Sequence, residues 1–180
     1  IIIFGVVNRI IAFLLLPIIG VVQGMQPIAG FNYGAKKIDR VKKVLKLSLI
    51  SATAISTVGW IIGETIPHII IRAFTDDIEI INEATIVFRV IFALVPLIGV
   101  QFVGATLFQS IGRARPALFL SLLRQIILLI PLILILPRIF NLGLFGVWLA
   151  FPVTDILAFT IVSAVIIREM RKPFWQQQID

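Results

Sequence analysis

Few residues in this chain could do chemistry, and most of those lie inside long apolar runs. Asp155 sits about 12 residues from either end of a run covering roughly residues 143–167. If that run crosses a membrane, the carboxylate is near the bilayer midplane, where a charge is costly and is usually retained for function. A carboxylate that gains and loses a proton there, or exchanges it for sodium, suits a cation-coupled carrier. Pro152, three residues earlier, leaves a backbone carbonyl free as a further ligand. The structural alternative is an aspartate that hydrogen-bonds a neighbouring helix or Thr154. Gln101 is central in another run, between Pro96 and Gly99 on one side and Gln109 two turns further on. Gln23 and Gln26 share one helix face. Uncharged amides can line a solute cavity or tie helices together. Glu64 lies one turn before His68, nearer a run's end, where it reaches headgroups or water.

Other chemistries find no support in the residue types. The chain has no cysteine and one histidine, His68, so thiolate chemistry is excluded and a zinc or haem site is not expected. There is no GxGxxG, and Gly34-Ala35-Lys36 lacks the length and the following Ser or Thr of a phosphate loop. No Ser, His and acid can be assembled into a triad around a histidine at a membrane edge. An enzyme is not expected, and no cofactor is implied beyond a coupling ion, H+ or Na+.

The elements that must position these residues follow from composition. Of 180 residues, 59% are hydrophobic and 14% charged, against about 45–50% and about 25% in a soluble domain. Too few polar residues remain to cover a water-soluble fold, so apolar surface must face lipid. A spanning helix needs about 20 residues to cross a hydrocarbon core about 30 Å thick. The charges punctuate five such runs, at about residues 4–31, 45–72, 84–112, 116–137 and 143–168. The expected fold class is therefore an all-α membrane protein, a polytopic bundle of five transmembrane helices. The fourth run contains Arg124, which is expected to snorkel to the interface. The turn-like Asn141-Leu142-Gly143 precedes the fifth, and residues 173–180 form a cytoplasmic tail.

Basic residues give the bundle a direction. Lys36, Lys37, Arg40, Lys42, Lys43 and Lys46 follow span one; Arg113 and Arg115, with Arg124 close by, follow span three; Arg168, Arg171 and Lys172 follow span five. These three regions hold 12 of the 16 basic residues, and the positive-inside rule makes them cytoplasmic. The opposite loops carry Asp76, Asp77, Glu79 and Glu83, then Arg138. The chain is thus expected to start outside and end inside. Its net charge of +7 reads as topology signal and anionic-lipid contact, and nucleic acid is not an expected partner. Pro17, Pro27, Pro67, Pro96, Pro131 and Pro152 fall in or beside the runs, where proline tends to kink a helix. Gly20 with Gly24, and Gly59 with Gly63, are spaced for close helix approach. The chain starts with Ile, with no basic segment before its first apolar run, so no cleavable signal peptide is expected. It reads as an internal or C-terminal piece of a longer protein.

Three stretches resemble one transporter family. Gln26-Pro27-Ile28-Ala29-Gly30-Phe31-Asn32-Tyr33-Gly34-Ala35-Lys36 resembles the signature closing the eighth helix of the multidrug and toxic compound extrusion transporters. Phe108-Gln109-Ser110-Ile111-Gly112-Arg113-Ala114, continuing to Leu123-Arg124-Gln125, is similar to that family's connection between its tenth and eleventh helices. Gly143 to Trp148, with Pro152 and Asp155, is similar to its twelfth. The resemblance covers residues 5–172 in order. It implies helices eight to twelve of a twelve-helix plan, part of one six-helix lobe, with the N-terminal lobe of the same polypeptide as partner. The implied setting is a bacterial or archaeal cytoplasmic membrane. The implied activity is cation-coupled antiport that exports amphipathic organic compounds, often small organic cations or drugs, by alternating access. Coupling acids described for the family lie on its first, seventh and tenth helices. The first and seventh are not in this chain, and the span matching the tenth has no acid between Val90 and Gly112, so no coupling role carries over. Asp155, Gln101, Gln109, Gln23, Gln26 and Glu64 remain the candidates for cation and substrate binding. The readings left open are a lipid-linked sugar flippase of the same superfamily and a membrane scaffold subunit that transports nothing.

Overall fold

In the computed structural model, which describes residues 2–139 and 142–176, the chain is a bundle of helices, with no strand among the described residues. Five helical runs are long and apolar enough to cross a membrane, with mean hydropathy between 1.6 and 2.5. The first is α1 (Ile2–Gly34), the second α2 (Ile38–Thr65), followed by the short α3 (Pro67–Arg72). The third consists of α4 (Ile78–Phe92), a 3-10 turn (Val95–Leu97) and α5 (Ile98–Ser110). The fourth consists of α6 (Ala114–Leu122), a π-helical segment (Leu123–Leu129) and α7 (Ile130–Ile139). The fifth is α8 (Gly143–Met170), and α9 (Pro173–Gln176) is the last described element. Asn141 of the expected turn and the tail beyond residue 176 lie outside the described residues.

The ends of these elements have local causes. Asp77 caps α4, its Oδ1 accepting from the backbone N–H groups of Glu79 at 2.9 Å and Ile80 at 3.3 Å, so the helix starts at residue 78 and takes Glu79 and Glu83 into its first turns. α2 starts at Ile38 and carries Lys42, Lys43 and Lys46 within the helix, where their stems can run along apolar surface. It ends at Thr65 because Pro67 disfavours helical backbone at Ile66. Pro96 likewise falls in the 3-10 turn that separates α4 from α5. By contrast α1 runs unbroken through Pro17 and Pro27, and α8 through Pro152. Proline alone does not end a membrane helix when its neighbours satisfy the freed carbonyl.

Helix α5 is the hub, packed against α1, α2, α6 and α8. Gly99 permits one of these contacts: a Cβ there would lie 2.9 Å from the backbone of Ala52 on α2, too close for any side chain. Of the two glycine pairs in the sequence, Gly59 and Gly63 do meet other helices, through Leu14 and Phe92, whereas a Cβ at Gly20 or Gly24 would meet nothing within 4 Å, and that pair marks an outward face. Two apolar clusters fill the bundle. One holds Met25, Leu107, Phe108, Val162 and Trp175; the other holds Val7, Ile71, Phe88, Phe92 and Ile98. Large apolar side chains such as Phe13, Phe31, Ile86 and Leu144 point outward, as suits a bundle whose solvent is lipid.

Candidate functional site

Asp155 stands in the middle of α8, wholly buried. Arg124, on the π-helical segment, donates from Nε to Asp155 Oδ1 at 2.8 Å. This overturns the expectation that Arg124 snorkels to the interface. A buried carboxylate without a counter-charge is far more costly than an arginine held away from water by a partner, so the guanidinium turns inward. π-helical segments re-aim side chains and recur at functional sites; this one carries Arg124 on an element packed against α8. Of the structural alternative, the bond to a neighbouring helix is present, through Arg124, whereas the bond to Thr154 is not, because Thr154 Oγ1 is buried with no hydrogen-bond partner.

The pairing is incomplete. Asp155 Oδ2 is buried without a partner, and so is Gln101 Oε1. Gln101 reaches Asp155 through its other end, Nε2 donating to the backbone carbonyl of Asp155 at 3.3 Å. This bond ties α5 to α8 and holds the Gln101 amide within reach of the carboxylate, while Oδ2 keeps no hydrogen bond of its own. Unpaired buried acceptors are rare because each costs about 1–3 kcal/mol. Here two of them belong to neighbouring side chains, an arrangement able to receive a proton or a polar ligand.

Beside the ion pair lies a cavity of about 270 Å³, lined by Gln101, Thr106, Gln109, Ser121, Arg124 and Gln125, with Phe102 and Leu120 among its apolar walls. Gln109 Nε2 donates to Ser121 Oγ at 3.3 Å across it. Arg124 is the one charged residue in its lining, and Asp155 lies behind it, outside the lining. Of the residues proposed from sequence, Asp155, Gln101 and Gln109 therefore come together, joined by Arg124, Ser121 and Gln125. The other three lie elsewhere. Gln23 and Gln26 point outward from α1, and Glu64 is half-buried with Arg89 Nε 3.9 Å away. One signal for Arg124 was available: it and Asp155 occupy the middle thirds of consecutive spans, and opposite charges at matched depth in adjacent helices are natural partners.

A second buried carboxylate lies at the other end of α8. Glu169 Oε2 accepts from Arg113 Nη1 at 2.9 Å and from Lys172 Nζ at 2.5 Å, and its Oε1 accepts from Trp175 Nε1 at 3.2 Å. Trp175 is fully buried and its ring packs at 5.9 Å from that of Tyr33. The start of the expected cytoplasmic tail is thereby fastened to α8, to the turn after α5 and to the end of α1. Sequence reading treated Arg113 and Lys172 as topology signals and passed over Glu169.

Five apolar helices carrying an ion pair on a wholly buried carboxylate, beside an amide-lined cavity that opens at the bundle's surface, define a polytopic membrane protein with polar groups in its interior. The MatE family profile matches residues 3–135, and the chain belongs to that family. The multidrug export protein MepA of Staphylococcus aureus (strain N315) is 33% identical over 144 residues, which is 80% of this chain and 31% of MepA. The structure of the MATE multidrug transporter DinF-BH superposes with a TM-score of 0.86 at 41% identity, covering 97% of this chain and 38% of that one. An outward-facing multidrug resistance MATE transporter of the MOP superfamily shares the fold, with a TM-score of 0.83 at 19% identity over 94% of this chain and 39% of its own. The chain thus spans about a third of the length of the relatives it matches.

Proposed function

We propose that the chain provides five helices of the C-terminal lobe of a cation-coupled efflux antiporter, which exports amphipathic organic compounds, organic cations among them, by alternating access. A lobe from elsewhere in the same polypeptide completes the transport path, and the chain begins outside and ends inside a bacterial or archaeal cytoplasmic membrane. The family and the multidrug export named for MepA and DinF-BH support the substrate class. The observation that carries the coupling is Asp155: a wholly buried carboxylate, neutralised on one oxygen only, next to a polar cavity.

The coordination a cation needs favours the proton. Sodium and a proton each add one positive charge to the neutral pair Arg124–Asp155, but sodium also needs a shell of several oxygens, whereas a proton needs one, and Asp155 Oδ2 is buried without a hydrogen-bond partner. Protonation leaves the cavity with the bare positive charge of Arg124, which disfavours an organic cation; deprotonation restores neutrality. Cation drug and proton then prefer different states of the same site, as antiport requires. In the full-length transporter, Asp155→Asn is expected to lower drug resistance in cells and to remove the dependence of export on the proton gradient. Unchanged resistance with unchanged proton dependence would reduce Asp155 to a scaffold residue.

A further inference from the structure

The cavity raises a question that export of cations does not answer: what occupies it while Asp155 is protonated. Arg124 engages Asp155 through Nε alone, which leaves its two terminal NH2 groups for whatever enters. Around it stand neutral hydrogen-bonding groups, the amides of Gln101, Gln109 and Gln125 and the hydroxyl of Ser121. No carboxylate lines the space. A volume of about 270 Å³ falls just under the about 300–1,000 Å³ usual for drug-sized ligands, so it suits the charged end of an amphiphile, drug or lipid, rather than the whole molecule.

We propose that this cavity is an anion site, taking a carboxylate or phosphate group on the terminal nitrogens of Arg124, and that its occupancy is linked to proton uptake by Asp155. The inference rests on the reading of Asp155 as the proton carrier. With Asp155 ionised, the buried carboxylate competes for the guanidinium and the cavity is neutral. With Asp155 protonated, the guanidinium loses its counter-ion and an incoming oxyanion replaces it, with the planar fork geometry that arginine offers to such groups. Proton and anion therefore favour each other's binding, by the same factor in each direction. The anion thus stabilises the proton-loaded lobe once a cationic drug has left, and shortens the time for which a desolvated positive charge stands uncompensated.

The pH dependence has a single source in the described residues. Among the charged groups on elements packed against α8, Arg124 is the one that reaches Asp155. α5 presents the neutral Gln101 to it. Glu79 and Glu83 of α4 and Arg138 of α7 lie towards helix ends away from it, Arg89 of α4 is placed beside Glu64, and Arg113 and Lys172 are engaged by Glu169.

The test is equilibrium binding of naphthoate to the purified full-length transporter in nanodiscs, with the naphthylmethylammonium cation as the opposite-charge probe. Wild-type protein is expected to bind naphthoate about tenfold more tightly at the acidic end of a pH titration, with Asp155 protonated, than at the alkaline end, with it ionised, since a competing full charge is worth at least that in such a site. Asp155→Asn is expected to bind it tightly at both, and Arg124→Gln to lose it. The neutral pair Arg124→Gln with Asp155→Asn, which removes both charges together, serves if the single aspartate variant does not fold; it too is expected not to bind naphthoate. Displacement of naphthoate by phosphatidylglycerol in the nanodisc identifies a lipid headgroup as the natural source of the anion, and no displacement identifies a soluble one; either is consistent with the site. Naphthoate binding that ignores pH in the wild type, or persists in Arg124→Gln, overturns the proposal. That failure leaves drug export untouched, whereas proton-dependent resistance surviving in Asp155→Asn would remove the reading beneath it.

Discussion

Helix α8 buries two carboxylates, and they are treated differently. Glu169 has three donors shared between its two oxygens; Asp155 has one donor on one oxygen, while the other faces none. Glu169 joins a turn, a helix end and the short α9 into one clasp. Asp155 joins α8 to a π-helical segment beside an amide-lined space. Both oxygens of Glu169 are held by donors, two of them cationic, whereas Asp155 keeps one buried oxygen without a hydrogen bond. The proposed coupling role therefore falls on the midplane pair and the clasp is a structural tie, even though both are buried acids on the same helix.

Equivalent substitutions separate the two. Glu169→Gln turns an amide NH2 towards groups that are themselves donors, leaving Arg113 and Lys172 without a counter-charge and one donor facing another. Both cations are partly exposed, with 33% and 46% of their side chains accessible, so they can turn to water. The expected cost is about 2–3 kcal/mol, below the about 3–5 kcal/mol of breaking a fully buried pair. It should appear as a clear fall in the unfolding midpoint of the detergent-solubilised transporter. Asp155→Asn is isosteric and removes a charge whose second oxygen had no partner. Arg124, with 26% of its side chain accessible, has the cavity to turn into, so the expected stability cost is about 1 kcal/mol, and the loss falls on transport. If Asp155→Asn destabilises the fold as much as Glu169→Gln does, the midplane pair is scaffolding and the contrast is void.

Much of this architecture could be read from the sequence, because lipid leaves the chain few choices. A spanning segment must satisfy its own backbone, so runs free of charge between Arg9 and Lys36 or between Val90 and Gly112 had to be helices, and their number fixed the fold class. The places where reading failed share a cause. Arg124 was assigned outward because a lone arginine near a helix end can snorkel; its inward turn depends on which face the π-helical segment presents and on a partner 31 residues away. Pro17 and Pro27 stand inside α1 without ending it, since neighbouring helices and not the proline alone decide where a membrane helix stops. Gln23, Gln26 and Glu64 share a polar character with the residues around Asp155, but type carries no azimuth, and α1 and α2 place them apart from this cavity, Gln23 and Gln26 on an exposed face. Glu169 was passed over because it lies among basic residues at a helix end, where charge is ordinary. That it accepts from both a lysine three residues on and an arginine 56 residues back is a property of packing.

The smallest effect bears on the clasp itself. Trp175 adds one donor to Glu169, through Nε1 at 3.2 Å, and its ring lies in the core against Tyr33. Trp175→Phe keeps an aromatic ring in that position and removes the indole N–H, while Arg113 and Lys172 still hold Oε2. If the clasp works by redundancy, losing this donor costs about 1 kcal/mol, part of it from the smaller ring, and drug export is unaffected. The informative measurement is Trp175→Phe combined with Glu169→Gln, compared with each alone. Were the indole bond an independent support, the two costs would add. Coupling through the shared carboxylate instead predicts a double variant less destabilised than the sum, because Glu169→Gln has already disturbed the acceptor that Trp175 uses. Strict additivity would show that α9 is held by ring packing against Tyr33 and not by the carboxylate, and the clasp would then consist of Arg113, Glu169 and Lys172 alone.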